Sequence, residues 1–176
     1  MKEPYHIHAR YNRQNNKTIY TILDALPNEE REKERGSYYS SLSGLYRHIL
    51  GGTSYFLSLF KDALPNNAGV QKAVAPALGQ AIPEGPLSAA QWKALEGQGD
   101  RADTALVDFV SALKDEDFQA PVKVEWYGGN PASTPLYFML EQLHSHNTHH
   151  RGQISQILDE LKIDNDYSGI DIALLP

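Results

Sequence analysis

The chain has 176 residues, no cysteine and a formal net charge of -6. Without cysteine there is no disulfide, no protein-borne thiolate nucleophile and no cysteine-based zinc site, so any metal must be held by His, Asp or Glu. The acidic balance argues against a nucleic-acid partner, which needs clustered Lys and Arg against phosphates; the densest basic run, Arg31, Lys33 and Arg35, alternates with Glu29, Glu30, Glu32 and Glu34 as on a solvated surface.

Met1 to Arg10 is polar, carries Glu3 and lacks the apolar segment of a secretory signal, so the expected compartment is the cytoplasm. His6 and His8 are expected in a mobile N-terminus. The first helix is predicted from Arg10 to Leu26, with Tyr11, Ile19, Ile22, Leu23 and Leu26 on one face and Pro27 as its stop. The second is predicted from Ser41 to Ala63, where Leu42, Leu45, Ile49, Phe56 and Phe60 form an apolar stripe. Residues 64–87 read as a long, proline-rich connection with a short helix around Gly69 to Ala75. The third helix starts at Ser88, which forms an S-x-x-Q capping box with Gln91, and buries Trp92, Leu95, Ala102, Leu106, Phe109 and Leu113.

Val122, Val124 and Trp126 then alternate with Lys123 and Glu125, and Gly128, Gly129 and Asn130 offer a turn, which together suggest a short β-hairpin. Thr134 as N-cap and Pro135 at the first position open a fourth helix reaching about Lys162. Ile170 to Leu175 is an apolar tail expected to dock back. No stretch approaches the roughly 18 consecutive apolar residues of a membrane span. The expectation is an all-α four-helix bundle, with residues 1–176 as one domain.

The chemistry concentrates on the fourth helix. Leu136, Leu140, Leu143, His146, His150, Ile154, Ile157 and Leu161 step by fours and threes, which sets both histidines on the core-facing stripe. A four-residue step turns about 400°, leaving the rings about 40° apart, with β-carbons roughly 5–6 Å from each other. Two such imidazoles can share a metal ion, which would keep both neutral in an apolar setting. His48, at the margin of the second helix's stripe, supplies a third ligand, and Gly44, Gly51 and Gly52 beside it leave room for close helix approach or for a ligand. Three histidines leave a coordination position open, as catalytic zinc sites do. Taken singly, His48 also reads as a hydrogen-bonded core histidine, and an i, i+4 histidine pair also occurs on wetted faces. His144 and His149 are rotated away by about 200° and 100° and read as non-ligands. No nucleophile elbow of the G-x-S-x-G type is present.

The segment His146-Asn147-Thr148-His149-His150-Arg151-Gly152-Gln153-Ile154 closely resembles the N-H-x-T-H-H-R-G-Q signature of the DinB family of metal-binding bundles. Leu45-Tyr46-Arg47-His48-Ile49-Leu50 resembles that family's helix-two histidine segment, and Tyr11-Asn12-Arg13, the β-like stretch and Ile170-Asp171-Ile172-Ala173 also fit. One departure is Ser145, where an asparagine commonly precedes the first histidine. The resemblance implies a four-helix bundle with zinc or nickel on His48, His146 and His150, and a homodimer. It also implies a small-molecule substrate: relatives include S-transferases and an isomerase that use a low-molecular-weight thiol, while other members have no known activity. Within that frame the metal would activate a thiol or water, with Tyr55 and His149 as candidate bases. The alternative is a non-catalytic metal-binding or stress-related bundle.

Overall fold

A computed structural model describes residues 2–125 and 132–174. Among them are six α-helices: α1 (Lys2–Asp24), α2 (Asn28–Arg31), α3 (Leu42–Ala63), α4 (Ala68–Val74), α5 (Ala89–Ala112) and α6 (Leu136–Glu160). The strands β1 (Pro121–Val124) and β2 (Ala132–Pro135) pair antiparallel ahead of α6. The four long helices form the bundle, α1 packing chiefly on α5 and α3 on α6. None of the described helices is long and apolar enough to cross a membrane.

The N-terminus departs from expectation. Instead of a mobile lead-in, α1 begins at Lys2, because its first turns have partners to bury against. Tyr5 packs on Phe118 with ring centroids 5.2 Å apart, and the His8 ring stacks on His144 at 3.9 Å. The next turns bury Asn12, Asn15 and Asn16 beside Ile19 and Leu23, so one face of α1 is polar and internal.

The mixed-charge run after α1 is also not simply a solvated surface. Arg31 is buried: it donates to the carbonyls of Leu23 and Leu26 at 3.2 and 3.3 Å and to Asn28 Oδ1 at 2.7 Å. Its guanidinium lies 4.3 Å from the centroid of the Trp92 ring. Glu32 accepts from Ser43 Oγ and from the Leu87 backbone N–H, both at 2.9 Å, and so ties the segment to α3 and to the start of α5.

The expected stripe of α3 is wholly buried, and Ser41 caps the helix by accepting from the Gly44 N–H at 3.1 Å. The long connection carries α4 and a 3-10 turn at Ala75–Ala77 before it reaches α5. Gly79 and Gly85 hold φ of +77° and +71°, a region that favours glycine. Ser88 and Gln91 complete the capping box, and the anticipated apolar face of α5 is buried.

In the hairpin Val122 opposes Thr134 and Val124 opposes Ala132. Val122 and Val124 point into the core while Lys123 is exposed. Trp126 and the expected turn at Gly128 to Asn130 lie outside the described residues. Thr134 is therefore a strand residue and not the helix cap: α6 starts after Pro135 with no side-chain cap, and the Leu136 N–H donates to Ala120 O at 2.9 Å. Of the C-terminal tail, Leu174 docks, with its carbonyl accepting from Arg10 Nη1 at 3.2 Å, whereas Ile170 and Ile172 are exposed.

Candidate metal centre

Where α3 and α6 face each other, His48, His146 and His150 converge. Their ring centroids are 4.4 to 4.7 Å apart. One ring nitrogen from each can be chosen so that all three lie within 4.8 Å of one another, and His146 Nε2 is 2.8 Å from His48 Nε2. A tetrahedral ion with bonds of roughly 2.0–2.1 Å needs its nitrogens about 3.4 Å apart, a spacing that lies between these two distances. The donor set fits a borderline divalent ion.

Two glycines permit this approach. A β-carbon on Gly52 would sit 2.6 Å from His146 Cε1 and 3.2 Å from its Nδ1, so the imidazole occupies the space that any other residue's β-carbon would take. A β-carbon on Gly44 would collide with the backbone carbonyl of Tyr39. That close passage lets the Tyr39 ring stack on His48 at 3.9 Å. Gly51 is less constrained, with the Ile82 side chain at ordinary contact distance, 3.6 Å.

Burial holds all three imidazoles towards the neutral form. His48 is pulled down to about 4 by loss of solvent, with His146 and His150 adding repulsion. His146 and His150 are lowered chiefly by burial, and their bonds to Asn147 and Gln153 work the other way. Neutral imidazole is the form that binds a metal. Each α6 ring also has an amide oxygen at Nδ1: Asn147 Oδ1 at 3.1 Å for His146, and Gln153 Oε1 at 2.7 Å for His150. Such outer partners orient ligating histidines.

The centre opens into a cleft of about 1020 Å³ whose lining includes Tyr39, Arg47, His48, Gly52, Tyr55 and His146. One wall comes from the long connection: Ile82, Pro83 and Glu84 line it, and Arg47 Nη1 donates to Pro83 O at 2.7 Å.

The DinB family model matches residues 1–161. The chain belongs to the DinB family. No curated protein and no solved structure matches it.

On this DinB chain the three histidines singled out in the sequence come together. His144 lies apart, stacked on His8. His149 is exposed and meets His150 edge-on at 4.9 Å, and Tyr55 lines the cleft. Ser145 is exposed, whereas Asn147, on the other side of His146, is the buried amide that bonds its ring. Sequence reasoning passed over Asn147 and Gln153 as partners of the histidines. For Gln153 a signal existed, since it lies three residues after His150 on the same face.

Proposed function

We propose that this DinB protein holds one divalent metal, zinc or nickel, on His48, His146 and His150, and acts as a metal-dependent enzyme on a small molecule brought through the cleft. The observation that carries the reading is the convergence of three imidazoles, two of which, His48 and His146, line an open cleft. Open access is what separates a catalytic from a structural zinc site. When bound, such an ion lowers the pKa of a coordinated water to about 7 and deprotonates a coordinated thiol. A low-molecular-weight thiol is the cosubstrate proposed, since the chain has no cysteine of its own and the family resemblance points the same way.

The chain's own residues hold the ion and shape the approach. Tyr39 braces His48, and Asn147 and Gln153 orient the two α6 rings. Tyr55, on the cleft side, is the proposed base and would have to act as its phenolate. A homodimer and a cytoplasmic setting belong to the same proposal.

The test is elemental analysis of untagged protein purified without chelator, beside His48→Ala and His150→Ala. The expected result is one equivalent of zinc or nickel in the parent, lost in both variants. A parent that stays metal-free after incubation with zinc and nickel overturns the reading. Stoichiometric metal with no turnover of electrophiles by thiols supports a non-catalytic metal-binding bundle instead.

A further inference from the structure

We propose that Asn147 is a positioning residue that fixes His146 with its proton on Nδ1 and its Nε2 lone pair directed at the metal, and that a buried relay reaching Asp103 and Arg151 holds the Asn147 amide in the one orientation that does so. The functional meaning rests on the metal reading above; the protonation pattern does not.

An asparagine side chain offers a donor end and an acceptor end, and which end meets a histidine decides which ring nitrogen carries the proton. For Asn147 both N–H bonds are engaged elsewhere. Nδ2 donates to Asn12 Oδ1 at 2.9 Å and to Thr53 Oγ1 at 3.1 Å. Thr53 spends its own proton on the Ile49 carbonyl at 3.0 Å, so towards Asn147 its oxygen accepts. Asn147 Oδ1 is thereby left facing His146 Nδ1 at 3.1 Å.

Asn12 cannot turn to meet a reversed Asn147. Its Nδ2 donates to Asp103 Oδ1 at 2.8 Å, and its Oδ1 accepts from Arg151 Nη1 at 2.7 Å. A guanidinium has no acceptor. Asp103 Oδ1 also accepts from Asn16 Nδ2 at 2.9 Å, and two donors aimed at one oxygen keep that oxygen free of a proton. Reversing Asn12 would set an amide N–H against Arg151 and an oxygen against Asp103. Water cannot repair the mismatch easily, because Asn147, Thr53, Asn12, Arg151 and Asp103 are all buried, at 0%, 1%, 3%, 3% and 5% exposure. The polarity of the Asp103 Oδ1 acceptor on α5 and the Arg151 guanidinium on α6 is thus transmitted through two amides to one ring of the centre. With Nδ1 protonated, His146 Nε2 is the bare nitrogen, and it is the atom that faces His48.

The experiment combines histidine ¹⁵N spectra of metal-free protein with zinc titration of the parent, Asn147→Leu and Asn147→Asp. The expected parent tautomer at His146 is Nδ1–H. Leucine removes the acceptor, so the tautomer should become mixed and the zinc Kd should rise roughly tenfold to a hundredfold, the usual loss on removing an outer partner. Aspartate keeps an oxygen opposite Nδ1 but loses both donors to Asn12 and Thr53, so it should hold the Nδ1–H tautomer while lowering stability, and its zinc Kd should rise less than that of leucine. An Nε2–H tautomer in the metal-free parent overturns the relay, a result that does not depend on either variant folding. A folded leucine variant that keeps a pure Nδ1–H tautomer at His146 also overturns it, since the amide oxygen would then not be what fixes the proton. A parent that binds no zinc overturns the metal reading, and the parent tautomer then decides the relay by itself.

Discussion

The imidazole of His146 fills the place where a β-carbon on residue 52 would be, 2.6 Å from its Cε1. Gly52→Ala therefore pushes on a ring already bonded to Asn147 and facing His48. Alanine also gains about 1 kcal/mol of helix propensity over glycine. The expected outcome is a folded protein with impaired zinc retention, seen by metal analysis beside circular dichroism. Gly51→Ala, with only Ile82 at 3.6 Å, is the control: it should keep its metal and raise Tm by about 2–4 °C. Equal metal retention in the two variants would refute the steric account.

Asp103 gives a pH signature. Burial raises its carboxyl from 3.8 to about 7, against the lowering effects of the Asn16 bond and the Arg151 charge. The folded state thus binds this proton more tightly than the unfolded chain. Asp103 contributes stability that is fully present below the unfolded value, declines as pH rises from 3.8 towards 7, and is gone above that. The stability of the parent minus that of Asp103→Asn should fall across this window, by at most about 1.4 kcal/mol per pH unit. Urea denaturation at a series of pH values measures the difference, in which the histidines common to both proteins cancel to first order. A difference independent of pH between about 4 and 7 would count against a raised carboxyl.

Trp92 joins three elements. It is 1% exposed, stacks on Tyr20 with centroids 5.0 Å apart, donates from Nε1 to Asp24 Oδ1 at 3.0 Å and lies under Arg31. Trp92→Ala should cost about 3–5 kcal/mol by cavity formation, read as a lower denaturant midpoint. Trp92→Phe keeps much of the stack and should recover more than half of that loss; recovery of none would make the indole N–H bond, not packing, the dominant contribution.

Ser88 tests the start of α5. Its side chain and that of Gln91 satisfy each other's backbone N–H groups at 3.3 and 2.9 Å. Ser88→Ala should cost about 1 kcal/mol, a Tm loss of about 2–4 °C. Ser88→Asp keeps an accepting oxygen and should lose less.

Periodicity revealed those parts of the fold whose helices bury one apolar stripe. The faces of α3 and α5 follow their leucines and aromatics, and Ser41 and Ser88 mark their starts. It failed where the buried face is polar. The turns before Arg10 looked like a tail because their buried apolar residues are few, Tyr5 and Ala9, and within the expected helix Asn12, Asn15 and Asn16 carry no apolar signal, yet all three are inside. On α6 the same blindness moved the stripe: Asn147, Arg151 and Leu158 are buried, whereas Ile157 and Leu161 are only partly so. Thr134 and Pro135 spell a helix start locally, but a strand opposite Val122 claims Thr134, a tertiary choice that no local pattern records. The histidines were legible because spacing on α6 and the glycines on α3 both pointed to them. Their amide partners were not, because an asparagine's role depends on which way its side chain is turned, and three other helices decide that.

The connection between α4 and α5 has a consequence for how this protein can diversify. The histidines are carried by α3 and α6, whereas one wall of the cleft is built from Ile82, Pro83 and Glu84, between two glycines in left-handed backbone at positions 79 and 85. On the proposed function, metal grip and substrate selectivity sit on separable stretches of chain. The five residues from 80 to 84 can be exchanged for others of different bulk or charge while the three histidines, and the buried amides behind them, stay as they are. On the same proposed function, such grafts amount to a panel of substrate gates on a constant metal socket.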